Sequence, residues 1–285
     1  YISGTTWAAV GKAGTIISSV NGGANWADVP SSVTGDLKAI HSSGATVIAV
    51  GKRVGAASTV AYSTDSGTSW LSGAVGSDPG EDLKDVTVLS ATVAIAVGKA
   101  NGAASTILHT TDSGANWSVL SLADDPGEDL EKVAANGGTT VIAIGMSGSF
   151  VRSTDSGATW SNPIQPGPAA LLNGIAASGN TVIAVGNQAG NSNIIFSTDQ
   201  GSTWLTGTVA ADPLQNLNAV AVLSATDAVA VGQSVAPPAS TILRTIDSGL
   251  NWTVQAVTGD PGRDLLAVAT SGGTGIAVGL NAGGT

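Results

Sequence analysis

Cysteine is absent from this 285-residue sequence. No disulfide framework, thiolate nucleophile or cysteine-based metal site can be built from it, and the redox compartment stays open. Glutamate occurs three times and methionine once, so strong helix formers are scarce. Charged residues make up only 11% of the chain, yet no apolar run approaches the roughly 18 residues of a membrane helix. The sequence predicts a soluble chain. Its ten basic residues stand singly apart from Lys52 and Arg53. Nucleic-acid binding needs clustered cations to displace counterions from phosphates, and anionic lipid makes a similar demand. Both classes are therefore excluded. The net charge of −10 suits solubility, a cationic partner or divalent cations. Tyr1 is not an initiator methionine and no signal-peptide pattern follows it, so the sequence reads as a processed or excised segment.

What remains is glycine, 39 residues of it, among many Val, Thr, Ser and Ala. That mixture suits short β-strands joined by tight turns. An eight-residue pattern, Ser/Thr-x-Asp/Asn-x-Gly-x-x-Trp, recurs at 19–26, 63–70, 110–117, 153–160, 197–204 and 245–252. It places Trp26, Trp70, Trp117, Trp160, Trp204 and Trp252 at steps of 44, 47, 43, 44 and 48, using six of the seven tryptophans. Chance does not produce that spacing. Ala-Val-Gly or Ala-Ile-Gly closes a β-branched run at Gly11, Gly51, Gly98, Gly145, Gly186, Gly232 and Gly279. A Leu-x-x-Val or Leu-x-x-Ile start, as in Leu37–Ile40, Leu83–Val86, Leu217–Val220 and Leu265–Val268, opens the same units. One unit is read as strands 37–42, 46–51 and 58–63, a turn, and a strand 70–75.

Four short strands in about 45 residues is the period of a propeller blade. A helical solenoid would need two periodic helices per unit, and no window supplies them. The expected fold is all-β: a single β-propeller over residues 1–285, built of four-stranded antiparallel blades. Seven Ala-Val/Ile-Gly signals against six turns imply six nearly complete blades and half of a seventh. A six-bladed ring is the alternative, with Leu265–Val268 completing the first blade. A half-blade exposes a strand edge. Either the natural chain continues past Thr285, or a neighbouring subunit supplies strands and the protein is part of a larger assembly.

The repeated turn has a structural account. Asp65, Asp112, Asp155, Asp199 and Asp247, with Asn21 in the first copy, are expected to accept backbone N–H bonds inside the turn. The glycine two residues on supplies a positive φ, and the tryptophan packs one blade on the next. With these motifs the unit resembles the BNR/Asp-box propellers, and is most similar to photosystem II stability/assembly-factor-like repeats. The resemblance spans essentially the whole chain and implies the fold. It implies no catalysis, because fold does not fix activity. The wider group includes secreted and cell-surface bacterial proteins, which implies an extracellular or cell-surface setting. The photosystem factors use a basic surface, which this acidic chain lacks.

Chemistry is sparse. A sialidase needs an arginine triad with a Tyr–Glu pair, and only Arg53, Arg152, Arg244 and Arg263 occur. Arg152 and Arg244 stand directly before a turn, where Tyr62, His109 and Phe196 stand in other units, so they are read as repeat-position residues. His41 and His109 lie on different units and make no zinc site. No nucleophile elbow or phosphate loop occurs. Carboxylates cluster in the loops between blades, at Asp78, Glu81 and Asp82 and again at Asp125, Glu128 and Asp129. Asp-Pro-Gly is an ordinary turn sequence, and weak calcium binding is the functional alternative for these six residues. No catalytic or cofactor-binding residue is assigned. The expected function is a non-catalytic structural or protein-interaction module, with a protein partner or self-assembly ahead of a small molecule. The alternative is a carbohydrate-active protein, lectin or glycoside hydrolase. Any binding is expected on the face that carries the blade-joining loops and the longer loops such as Gly51–Ala57 and Gly232–Ser240.

Overall fold

The computed structural model describes the chain apart from residues 1, 3, 123–124, 162–170, 189–190, 236–238, 259, 261, 272–273 and 281–285. The chain falls into two compact units, Tyr1–Gly145 with Val151–Pro163, and Met146–Phe150 with Ile164–Thr285. The described residues are almost wholly strand and turn, with one short 3-10 segment at Lys12–Gly14.

Seven sheets follow one another among the described residues. The first holds Trp7–Val10, Ile16–Ser19 and Ala27–Val29. The second holds Leu37–Ser43, Thr46–Val54, Ala57–Ser63 and Leu71–Ser72. The third has Leu83–Val88, Ala94–Asn101, Ala104–Thr110 and Asn116–Leu120, and the fourth Leu130–Ala135, Val141–Gly145 and Phe150–Ser153. In the second unit, the fifth and sixth sheets repeat the second and third. Their strands are Leu171–Ser178, Thr181–Gln188, Asn191–Ser197 and Leu205–Thr206, then Leu217–Val222, Ala228–Val235, Ala239–Thr245 and Asn251–Val254. The seventh pairs Leu265–Ser271 with Thr274–Gly279. Consecutive strands within a sheet pair antiparallel, as expected from the sequence.

The second strand of each complete sheet is buried on both faces, which explains its unbroken apolar run. Val47 and Ala49 point into a core with Ile2, Ile16, Leu37 and Trp70. Ile48 and Val50 point the other way, into a core with Leu83, Val86 and Trp117. Sheet therefore stacks on sheet through alternating side chains. The glycine that ends each run is required by space. A Cβ at Gly51 would lie 2.0 Å from the Asp36 carbonyl oxygen, and one at Gly186 would lie 1.8 Å from that of Leu171. Both sit at bulges where the inner strand slips by one residue.

Side chains of the inner strands bridge neighbouring sheets where backbone ladders do not reach. Asn173 Nδ2 donates to Leu217 O and Asn218 Nδ2 to Leu265 O, each at 2.8 Å. In the first unit, His41 Nδ1 accepts from Val88 N at 2.9 Å, and Lys84 pairs with Glu131 at 2.7 Å.

The outermost strand departs from expectation. The sequence reading ran it unbroken over 70–75, but it divides at Gly73. Leu71–Ser72 stays with the second sheet, while Ala74–Gly76 crosses to the third and pairs parallel with Asn116–Ser118. Thr208–Ala210 does the same beside Asn251–Thr253. The crossing needs glycine, because a Cβ at Gly73 would meet Gly114 O at 2.5 Å, and one at Gly207 would meet Gly249 O at 2.6 Å. Among the described residues the first six sheets thus contain three, four, five, three, four and five strands; the first has no inner strand, and residues 162–170, after the fourth sheet's last turn, lie outside the described residues. The crossing between the second and third sheets recurs between the fifth and sixth, with Trp70 and Trp117 matching Trp204 and Trp252 at 134 and 135 residues.

Candidate protein-interaction face

The repeated turns are closed hydrogen-bonded units. In the second, Ser63 Oγ donates to Asp65 Oδ1 at 2.7 Å and accepts from Gly67 N at 2.9 Å, while Asp65 Oδ1 also accepts from Ser69 N at 2.9 Å. Asp112, Asp155, Asp199 and Asp247 repeat the pattern. Asn21 accepts the same backbone bond, from Asn25 N at 2.9 Å, so an amide oxygen suffices for it. Ser66, at φ +62°, and Gly67, at φ +82°, turn the chain in the left-handed region. The Trp70 indole then donates to Gly67 O at 3.1 Å, and the tryptophans of the other five turns make the equivalent bond. These aspartates are committed to the turn and present no spare oxygen array to a ligand.

The tryptophans are not equivalent. Trp70, Trp117 and Trp252 are buried against residues of two adjacent sheets, whereas Trp26 is 44% exposed. Trp160 and Trp204 are half-buried.

The hydrogen bonds hold the turn carboxylates below their ordinary range. Donation from Ser69, Thr159 and Thr203 to Asp65, Asp155 and Asp199 brings each down to about 2. Asp112 is lowered by Asn116, and Asp247 by the backbone and side chain of Asn251. A carboxyl with a depressed folded-state value contributes stability above its unfolded value near 3.8, and that contribution is lost as pH falls through about 2. Denaturant midpoints should therefore fall between about pH 4 and 2, beyond the decline below about pH 6.5 that His41 and His109 impose because burial lowers both. Asp65→Asn should flatten part of that fall, and an unchanged acid limb in this variant would refute the assignment.

The loop carboxylates are also engaged. Asp78 accepts from Ser58 N at 2.9 Å, Ser58 Oγ at 2.7 Å and Gly80 N at 2.8 Å. Asp125 takes Ser105 N with both oxygens at 3.0 Å and Gly127 N at 2.8 Å. In the second unit, Asp260 clasps Ser240 in the same way. Each clasp occupies the N–H of the third strand at the point its outer neighbour fails to reach, which protects that edge. Asp82 and Asp129 accept from Arg53 N and Ala100 N. The sequence reading missed these clasps, although a serine 20 residues before each Asp-Pro was their visible signal.

Glu81 and Glu128 complete the six candidates for calcium, and the structure does not gather them. Among the described residues no group of three or more His, Asp or Glu is placed to hold a metal ion. The arginines serve local contacts: Arg244 grips Asp227 at 3.0 and 2.6 Å, and Arg53 Nη1 donates to Gly80 O at 3.0 Å. Gly51–Ala57 is not the long loop expected: the second strand runs on to Val54 and the third starts at Ala57, leaving a two-residue turn whose flanks the Arg53–Asp82 and Ser58–Asp78 bonds tie to the joining segment at Asp78–Asp82. Part of Gly232–Ser240 lies outside the described residues.

Clefts open on this face of the first unit. The smaller, 240 Å³, lies among Val33, Val54, Ser58, Val60 and Gly73. The larger, 460 Å³, lies at the outer end of the third sheet, bordered by Ser77–Pro79, Asn101, Ala103–Thr106, Val119–Leu122 and Asp125. No helix among the described residues is long and apolar enough to cross a membrane.

Radially stackable four-stranded sheets, closed by one repeated turn, define a β-propeller of the BNR type. More particularly, the chain is similar to YCF48-like proteins: the family model described as Photosynthesis system II assembly factor YCF48 matches residues 46–185. Among solved structures, that of YCF48 bound to D1 peptide superposes with a TM-score of 0.69 at 16% identity, covering 95% of this chain and 84% of that one. YCF48 from Cyanidioschyzon merolae gives 0.70 at 16% identity, covering 96% and 88%. The WD40 propeller domain of Doa1 gives 0.63 at 13% identity, covering 95% and 84%. At such identities the likeness is one of fold. No curated protein matches the chain.

Proposed function

We propose that this chain is a non-catalytic protein-binding propeller, a structural or interaction module working in an extracellular or cell-surface setting. The observation that carries the reading is the distribution of its polar groups. The turn aspartates, the loop aspartates and Arg244 are bonded to their own fold, while the loop face keeps a cleft open. A rigid scaffold presenting loops is the usual basis of recognition. A solved propeller of similar fold carries a bound peptide. The test is a bead-displayed library of unstructured peptides incubated with the purified chain. Saturable capture of a peptide subset is expected, and uniform failure to capture any overturns the reading. A panel of chromogenic glycosides run alongside addresses the carbohydrate-active alternative, and turnover there would replace the non-catalytic reading. Surface labelling of intact source cells tests the setting, which an intracellular signal alone would overturn.

A further inference from the structure

We propose that the larger cleft, at the outer end of the third sheet, docks a peptide segment in which lysine or arginine stands beside small apolar residues. This rests on the protein-binding reading and names the partner's chemistry. The cleft exists because strand Ala104–Thr110 outruns its outer neighbour. Of that strand Asn116–Leu120 pairs only the stretch Ile107–His109, leaving Ala104–Thr106 without a strand on that side. The crossing segment Ala74–Gly76 ends at the same place, and Ser77–Pro79 forms the facing wall. Ordinary backbone augmentation is blocked, because the Ser105 N–H at the middle of the free edge already belongs to Asp125. An occupant is therefore held through side chains.

Those side chains set the chemistry. Ala103, Ala104, Val119, Leu120, Leu122 and Pro79 supply apolar surface. Asp78 and Asp125 supply two carboxylates whose present partners are neutral N–H and O–H groups, so their charge is uncompensated within the cleft. The lining residues include no lysine or arginine. The smaller cleft, by contrast, has no carboxylate in its lining. At 460 Å³ the larger cleft falls in the range of about 300–1,000 Å³ typical of ligand sites, and the smaller falls below it. The whole chain carries −10, which favours encounter with a cationic segment.

Fluorescence anisotropy with the full chain tests this, using a labelled peptide that alternates lysine with valine and alanine, and a twin with glutamate for lysine. The basic peptide should bind at least about tenfold more tightly than its twin at physiological salt. Ser121→Arg places a cation on an exposed lining position and should weaken the basic peptide by about tenfold or more. Ala24→Arg adds the same charge to an exposed turn position and should leave binding unchanged. Equal loss in both variants would mean diffuse attraction and overturn the site. So would binding of the basic peptide that ignores Ser121→Arg, or a preference for the acidic twin; in either case protein binding itself would survive. If neither peptide nor any library peptide bound, both readings would fall.

Discussion

Trp252→Ala should destabilise the protein by about 3–5 kcal/mol, the usual cost of emptying a large buried aromatic site. The indole is fully buried, and its surroundings come from two sheets of the second unit: Ile183, Val185, Ile194 and Phe196 on one side, Leu217, Val220 and Leu243 on the other. Removing it leaves a cavity between rigid sheets that cannot collapse easily, and frees the Gly249 carbonyl it bonds at 2.8 Å. Trp26→Ala, at the equivalent turn position with 44% exposure, should cost only about 1 kcal/mol or less. Urea denaturation of both variants measures the contrast. Equal losses would show that the indole matters through its turn bond rather than through packing between sheets.

A second large effect is expected at Gly186. Its Cβ would fall 1.8 Å from Leu171 O and 2.9 Å from Leu172 Cα, both backbone atoms that cannot swing aside. Gly186→Ala should force the bulge apart and cost more than about 4 kcal/mol, enough to prevent recovery of folded protein. Gly179 is the control. It sits at φ +56° in open space, a conformation asparagine tolerates, so Gly179→Asn should be nearly neutral. Far-UV circular dichroism and soluble yield distinguish the two; a well-folded Gly186→Ala protein would disprove the close-approach account.

The same glycine shows how far sequence reading reaches. The Ala-Val-Gly signal located the second strand, because an apolar run is a local property, but misplaced its end: the strands run on past Gly51, Gly98, Gly186 and Gly232 to Val54, Asn101, Gln188 and Val235. The cause of the glycine is a carbonyl some 15 residues earlier, as Asp36 O is for Gly51, and only folding brings that atom near. Eight-residue turns were legible for the same local reason, since Ser63, Asp65 and Gly67 bond one another. Asp78 was harder. Its donor, Ser58, lies 20 residues away, so the residue looked like an available loop carboxylate. Gly73 was read through, because Leu-Ser-Gly-Ala-Val carries strand character on both sides and nothing local says that the two halves join different sheets. The cleft was invisible altogether, being defined by where one strand outruns another.

The crossing segments limit how such a chain can change in length. Ala74–Gly76 and Thr208–Ala210 each leave a four-stranded sheet and are received by the sheet that follows. Each crossing couples a giving sheet to the receiving sheet that follows it. Duplicating a single sheet would strand a giver without a receiver, or leave an outer edge bare where a segment used to lie. Duplicating a giver together with its receiver returns every crossing segment to a matching edge. The gene for such a protein can therefore gain or lose these sheets safely only as giver–receiver pairs, and the hereditary unit here is the pair rather than the blade.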